Sequence, residues 1–439
     1  MLRDEKPNIL FVLADDLGWG DVSYHGSEIR TPNIDRLKDS SVELDQHYVC
    51  PVCTPTRTSL LTGRHPGRFG RHATVPSNAP VLPDGYETLA TSMRNSGYDT
   101  GLFGKWHLGS SSEYGPNKYG FNTAYGSLAG GVDPYSHRYK RGPYSMTWHR
   151  NGKQVDEPGH VTDLIAREAL EWIESRKGPW FCYVPFTAVH IPVKAPQYWV
   201  DKYEFEKYDD DPERDRSFKK YAAYASQMDY ALGQLIEAVA RRCETENTIV
   251  VFASDNGAIP EYSPEDLAKY PGWQEATPRL GSNLPLRGRK AQLYEGGIRT
   301  PAVISWPSVL KPSKLEHPIH IVDWMPTFTK LVDYMPKEDP QWDGIDIWPL
   351  VSGETDKTEK RSIFWNLRDA RFALREGDWK LITDENITPE RSELYNITAD
   401  PYETRDVARG ETDVVKEILE KIRHERKLDG NSKRNDVAL

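Results

Sequence analysis

At 439 residues the chain can bury a large core and is long enough for two domains, or for one domain with an appendage. Its 56 basic and 66 acidic residues leave a formal charge of −10, so there is no global basic field and nucleic acid is excluded as the main partner. No apolar run approaches the roughly 20 residues that span a bilayer, and the four cysteines (50, 53, 182 and 243) are too few for a disulfide framework.

The opening MLRDEKPNILFVLADD has no signal-peptide pattern. Its apolar stretch, residues 8–14, reads as a buried central strand ending at Asp15-Asp16. Residues 31–41 place Ile34 and Leu37 at helical spacing after a Thr-Pro start. A helix is predicted over 85–96, then a strand over 100–106. An amphipathic helix over 160–176 leads through Gly178-Pro179 to the strand WFCYVPF. A long helix over 218–242 precedes NTIVVFASDNG, another buried strand; TPAVISW and a helix near 324–331 follow.

The pattern breaks into Gly, Pro and charged residues over 342–359. Beyond it come SIFWNL, RFALREG and DWKLITD in meander-like order, then a charged helix over 413–427. The predicted fold class is therefore α/β: a large, mainly parallel sheet with helices on both faces, plus a smaller C-terminal α+β unit with a short antiparallel sheet. The expected boundary divides residues 1–350 from 351–439.

Two apolar strands end in oxygen-bearing side chains, Asp15-Asp16 and Asp255-Asn256. Ligands gather outside the carboxyl ends of strands in open α/β sheets. Each pair alone could be a turn or a helix cap. Together they offer three carboxylates and an amide, an all-oxygen set suited to calcium or magnesium, and lacking the nitrogen or sulfur that zinc prefers. Cys50 and Cys53 form a CxxC, which also admits a redox pair, but no thioredoxin-like pattern accompanies it.

Cys53-Thr54-Pro55-Thr56-Arg57, followed by TSLLTGR, resembles the signature of the formylglycine-dependent type I sulfatases of the alkaline phosphatase superfamily. GKWHLG (104–109), TAVHIP (187–192), Arg289-Lys290 with YEGGIRTP (294–301), and SELYNITADPYETRDVA (392–408) resemble further segments of that family, in order along nearly the whole chain. HGSEIRTPNIDRL and DPYSHRY (133–139) carry a closer likeness to arylsulfatase B-like and polysaccharide sulfatases.

The resemblance implies hydrolysis of sulfate monoesters on a sulfated carbohydrate, either a glycosaminoglycan or a marine algal polysaccharide such as ulvan or carrageenan. It implies that a formylglycine-generating enzyme oxidises Cys53, and that Ca2+ sits on Asp15, Asp16, Asp255 and Asn256. Arg57 would orient the hydrated aldehyde, Lys105 and Lys290 would cradle the sulfate, His190 would protonate the leaving oxygen, and His107 would take a proton from the second hydroxyl. Tyr135, His137 and Arg138 are expected to touch the sugar. Sulfatases of this type imply work in the periplasm or outside the cell. The alternatives are a phosphodiesterase or phosphonate hydrolase of the same superfamily, and a catalytically silent glycan-binding protein.

Overall fold

Alternation along the first strand builds two cores at once. In the computed structural model, which describes residues 6–140, 142, 144–262, 277–357 and 360–430, β1 (Asn8–Ala14) is buried throughout. Leu10, Val12 and Ala14 pack on one side, Ile9, Phe11 and Leu13 on the other. The first core is closed by α1 (Pro32–Asp39), through Ile34 and Leu37. The second is closed by α2 (Cys53–Thr62), through Leu60 and Leu61, and by α3 (Leu89–Asn95), through Leu89 and Met93. Helix α4 (Val161–Glu174), the short α5 (Gln197–Val200) and α6 (Pro212–Arg241) complete the first side, and the helix Trp324–Leu331 covers the second.

In chain order the remaining strands of the large sheet are β2 (Val42–Leu44), β4 (Asp99–Lys105), β5 (Thr123–Ser127), β6 (Trp148–Arg150), β7 (Lys153–Gln154), β8 (Trp180–Pro185), β9 (Thr248–Ser254), β10 (Ala302–Ser305) and β11 (Ser313–Leu315); β3 (His47–Tyr48) pairs separately with β12 (Ile319–His320). The ten strands lie in the order β11-β2-β10-β9-β1-β8-β4-β5-β6-β7. The central five, β9 to β5, run parallel. Antiparallel neighbours flank them on both sides, β10 against β9 and β6 against β5. Fully buried parallel strands explain the continuous apolar runs in the sequence.

Helix ends follow their caps. α3 starts four residues later than the predicted 85, because the Thr88 side chain accepts the N–H of Thr91 and sets the first turn. α6 starts six residues earlier than the predicted 218. Asp211 accepts the N–H groups of Glu213 and Arg214, and Pro212 occupies the first helical position.

The C-terminal sheet runs β13 (Ser362–Leu367), β14 (Arg371–Glu376), β15 (Trp379–Asp384) and β16 (Glu393–Asn396), all antiparallel; the last strand adds to the three predicted. One face packs on the helix Thr412–Leu428. The other, with Ile363, Trp365, Ile382 and Tyr395, packs on Tyr48, Val52, Leu293 and Ile298 from the larger part. Among the described residues no helix is long and apolar enough to cross a membrane.

Candidate active site

Because β9, β1, β8 and β4 are parallel neighbours, their carboxyl ends share one edge, where the residues after them meet. Asp15 and Asp16 follow β1, Asp255 and Asn256 follow β9, Lys105 ends β4, and the turn after β8 leads to His190. Backbone bonds lock these ends together: Asp255 N–H to the Ala14 carbonyl at 3.0 Å, Asp15 N–H to Ala188 at 2.8 Å, and Val189 N–H to Asp15 at 2.6 Å.

Asp15, Asp16 and Asp255 are buried, and one carboxylate oxygen from each lies within 4.8 Å of the other two. Asp16 Oδ1 accepts from Lys290 Nζ at 2.5 Å and Asn256 Nδ2 at 2.8 Å. Asp15 Oδ2 accepts from Lys105 Nζ at 2.7 Å. Asp15 Oδ1 and Asn256 Oδ1 are buried with no hydrogen-bond partner among the described residues. Burial, then the neighbouring carboxylates, push the Asp15 carboxyl up to about 8 against the pull of Lys105. Burial acts on Asp16 too, but Lys290, His190 and Lys105 outweigh it and hold that carboxyl below its ordinary range. An anionic triad with one unpartnered carboxylate oxygen, beside the unpartnered amide oxygen of Asn256, is an all-oxygen donor set for a hard divalent cation.

Helix α2 brings the third side. All ten of its residues are buried, and Cys53 is the first. Arg57, one turn on, lies on the same face. Its guanidinium donates to Asp255 Oδ2 and to the Lys105 carbonyl, both at 2.8 Å, so α2 is tied to the ends of β9 and β4. Thr56 adds a hydroxyl to the Asp255 carbonyl at 2.6 Å.

Burial raises the Cys53 thiol, with Lys105 and Lys290 opposing and Asp255 and Asp15 assisting, so the unmodified side chain is a protonated and poor nucleophile at neutral pH. Cys50 is pushed up to about 12 by burial, so neither sulfur has the lowered thiol of a reactive redox CxxC.

His107 is buried and His190 largely so, and both are held neutral. Burial and then the nearby cations press His107 far below the usual imidazole range; burial does the same to His190, against the pull of Asp16. His190 Nδ1 faces the Ile191 carbonyl at 2.7 Å and so carries the proton, leaving Nε2 turned to Asp16 Oδ2 at 3.9 Å. His107 holds φ = 59° and Asp16 φ = 65°, conformations that cost a non-glycine residue about 1–3 kcal/mol each. Gly130 makes room beside His107: a Cβ there would fall 2.3 Å from Nε2.

The structure thus gathers Cys53, Arg57, Lys105, His107, His190, Lys290 and the four oxygen-bearing residues at one strand edge. The remaining three candidates are split. Tyr135 and Arg138 are exposed. His137 is buried, its ring stacked on Trp148 at 4.9 Å and its Nε2 at 2.9 Å from the Gly159 carbonyl. An ion pair between Asp133 and Lys194 ties their segment to the one carrying His190. Tyr262, whose hydroxyl donates to Asp16 Oδ2 at 3.3 Å, was not singled out from the sequence: a lone Tyr in an irregular stretch gives no signal.

The family model described as Sulfatase matches residues 7–334, and one described as N-sulphoglucosamine sulphohydrolase, C-terminal, matches residues 289–428. Mouse arylsulfatase J is 31% identical, over 95% of this chain and 75% of its own length. Human N-acetylgalactosamine-6-sulfatase is 30% identical, over 86% and 71%. Among solved structures, Ps i-CgsB superposes with a TM-score of 0.84 at 29% identity, covering 98% of this chain and 94% of its own. A phosphonate monoester hydrolase from Agrobacterium radiobacter, at 16% identity and TM-score 0.65 over 96% of each chain, shares the fold alone. With a family match that spans the large sheet and every residue at its carboxyl edge, the chain belongs to the sulfatase family and is a sulfuric ester hydrolase.

Proposed function

We propose that this sulfatase removes sulfate from a sulfated carbohydrate, with residue 53 carried as formylglycine and Ca2+ held by Asp15, Asp16, Asp255 and Asn256. One observation carries the reading. A buried anionic triad, with an unpartnered oxygen on Asp15 and another on the neighbouring Asn256, adjoins the buried Lys105, the half-buried Lys290 and the first residue of α2, so a demand for a cation and a demand for an anion lie side by side. A sulfate ester bound through a metal answers both. The substrate class is supported by the similarity to N-acetylgalactosamine-6-sulfatases and to Ps i-CgsB, which was also solved in complex with k-i-k-neocarrahexaose. A glycosaminoglycan and an algal polysaccharide such as carrageenan or ulvan are the two candidates, met in the periplasm or outside the cell.

Bound calcium supplies Lewis acidity toward a sulfate oxygen and favours ionisation of an adjacent hydroxyl. Residue 53, as hydrated formylglycine, would supply a nucleophilic hydroxyl and a second, ionisable one on the same carbon. The chain's own residues do the rest. Lys105 and Lys290 are point charges placed to hold sulfate oxygens in a water-poor site, where each is worth more than in solvent. Arg57, fixed at both ends of its guanidinium, holds the face of α2 that presents residue 53. His107, neutral and with an unpartnered Nδ1, is fit to accept a proton. His190 presents Nε2 to the site, and the bound anion's charge raises its affinity for the proton it gives to the departing sugar oxygen. Tyr135 and Arg138, the exposed members of their segment, would meet the sugar.

The test is sulfate release from desalted glycosaminoglycan and algal oligosaccharides by enzyme matured with a formylglycine-generating enzyme. The peptide containing residue 53 is weighed in parallel; the aldehyde is about 18 Da lighter than the thiol. Aldehyde-bearing enzyme that releases sulfate from none of these sugars, or hydrolyses phosphate diesters markedly better, would sink the reading.

A further inference from the structure

The loop that carries Lys290 runs between the site and the C-terminal sheet. Among the described residues its one regular element is the single turn Glu295–Ile298, and it contacts the segments that carry Asp255-Asn256 and Cys53. Lys290 N–H donates to the Ala258 carbonyl at 3.2 Å, just past the Asp255-Asn256 pair. Ala291 N–H donates to Pro51 at 2.8 Å, just before Cys53. Gly257 packs so tightly on this loop that a Cβ there would fall 1.8 Å from the Gly296 carbonyl oxygen.

The other side of the loop is fastened to the C-terminal sheet. Lys380 on β15 is fully buried, with Nζ at 2.6 Å from Glu295 Oε1 and 2.7 Å from Glu403 Oε1. Glu403 Oε2 accepts the Glu295 N–H at 2.7 Å, and Tyr48 donates its hydroxyl to Glu295 Oε2 at 2.7 Å. At the loop's start, Arg287 donates to the Tyr395 hydroxyl and to the Glu403 carbonyl, both at 2.9 Å. Glu403 itself holds φ = 55°, a backbone conformation that favours glycine. Two carboxylates and one ammonium buried far from solvent fix geometry more than they stabilise, since such groups lose as much solvation as they regain in pairing.

We propose that Lys380, Glu403 and Glu295 are positioning residues: the C-terminal sheet sets the place of Lys290, and with it the grip on sulfate, through this buried triad. The inference rests on the role given to Lys290 above.

A double-mutant cycle tests it, using full-length matured enzyme with rates normalised to aldehyde content. The kcat/KM for 4-nitrophenyl sulfate is read together with the Kd for inorganic sulfate, which needs no turnover. Glu403→Gln is expected to worsen both about tenfold in the wild-type background and less than twofold when Lys290 is already Ala. Tyr395→Phe, a milder change at the other end of the loop, is expected to show the same dependence at about a two- to threefold level; it decides the matter if Glu403→Gln does not fold. Equal factors in both backgrounds, or no effect in either, overturn the coupling while leaving the sulfate site standing. Wild-type values for Lys290→Ala itself overturn both.

Discussion

Two regions of this molecule bury charge, and they finish the task differently. At the edge of the large sheet, the polar network is open. Asp15 Oδ1, Asn256 Oδ1, Arg57 Nε and His107 Nδ1 are buried with no partner among the described residues. Beside the C-terminal sheet, Lys380 lies between Glu295 and Glu403, and Tyr48 and the Glu295 N–H take up further oxygens; Glu403 Oε1, without a hydrogen bond among the described residues, has the Lys380 ammonium at 2.7 Å, so this network is closed by ion pairing. Buried polar atoms without partners cost roughly 1–3 kcal/mol each, so an open network persists where a ligand completes it. The closed one is scaffold. The contrast separates residues that act from residues that hold, although both are fully buried and both are charged.

The largest effect expected from breaking this contrast is on the open side. Cys53→Ala should reduce sulfate release at least about 1,000-fold while the melting temperature moves by only a few degrees; kinetics on the best oligosaccharide and a thermal melt check it together. Lys380→Met should do the reverse in emphasis. Leaving two carboxylates buried without their cation is expected to cost about 3–5 kcal/mol, read from urea unfolding. A calcium test sharpens the open side further: chelation should abolish activity and lower stability, by about 2.7 kcal/mol relative to calcium at 100 times its Kd, and Asp15→Asn should erase that calcium-dependent gain.

The smallest effect is a slope. Burial, with Glu295 adding to it and Lys380 opposing, pushes Glu403 up from the ordinary 4.5 to about 7. The folded chain therefore holds this proton more tightly than the unfolded one. Its contribution to stability is full below about pH 4.5 and is lost as pH rises to about 7, by at most about 1.4 kcal/mol per pH unit. Glu295, held below its ordinary range against burial by Lys380, Arg299 and Arg375, acts in the opposite sense at lower pH. Glu403→Gln should flatten the first slope in unfolding curves taken between pH 5 and 7.

How much of this was legible beforehand follows the same division. Residues that act on a ligand lie in short local strings, such as CTPTR and GKWHLG, because strand ends and a helix start bring chemistry and sequence neighbours together. The parallel central strands were legible as continuous apolar runs. Residues that hold were not: Lys380 and Glu403 meet Glu295 across roughly 85 and 110 positions, and each alone reads as an ordinary surface charge. The long helix over 212–241 was foreseen only from 218, since its first turn is charged and lacks apolar periodicity even though Asp211-Pro212 marks the start. Thr56 and Tyr262 were missed because their bonds, to the Asp255 carbonyl and to Asp16, exist only in the folded chain.

The pairing of β1 has a consequence in time. Ile9 lies beside Phe181 and Ile249, so neither neighbour of the first strand exists until long after the strand itself has been made. Helix α2, which ends in the folded protein with all its residues buried, is synthesised before both. At roughly 5–20 residues per second, the stretch from Thr62 to Ser254 takes about 10–40 s to emerge. During that interval residue 53 is reachable by an enzyme; afterwards it is walled in. Any oxidation of Cys53 is thus a race against completion of the sheet, and the late arrival of β9 sets the length of the race.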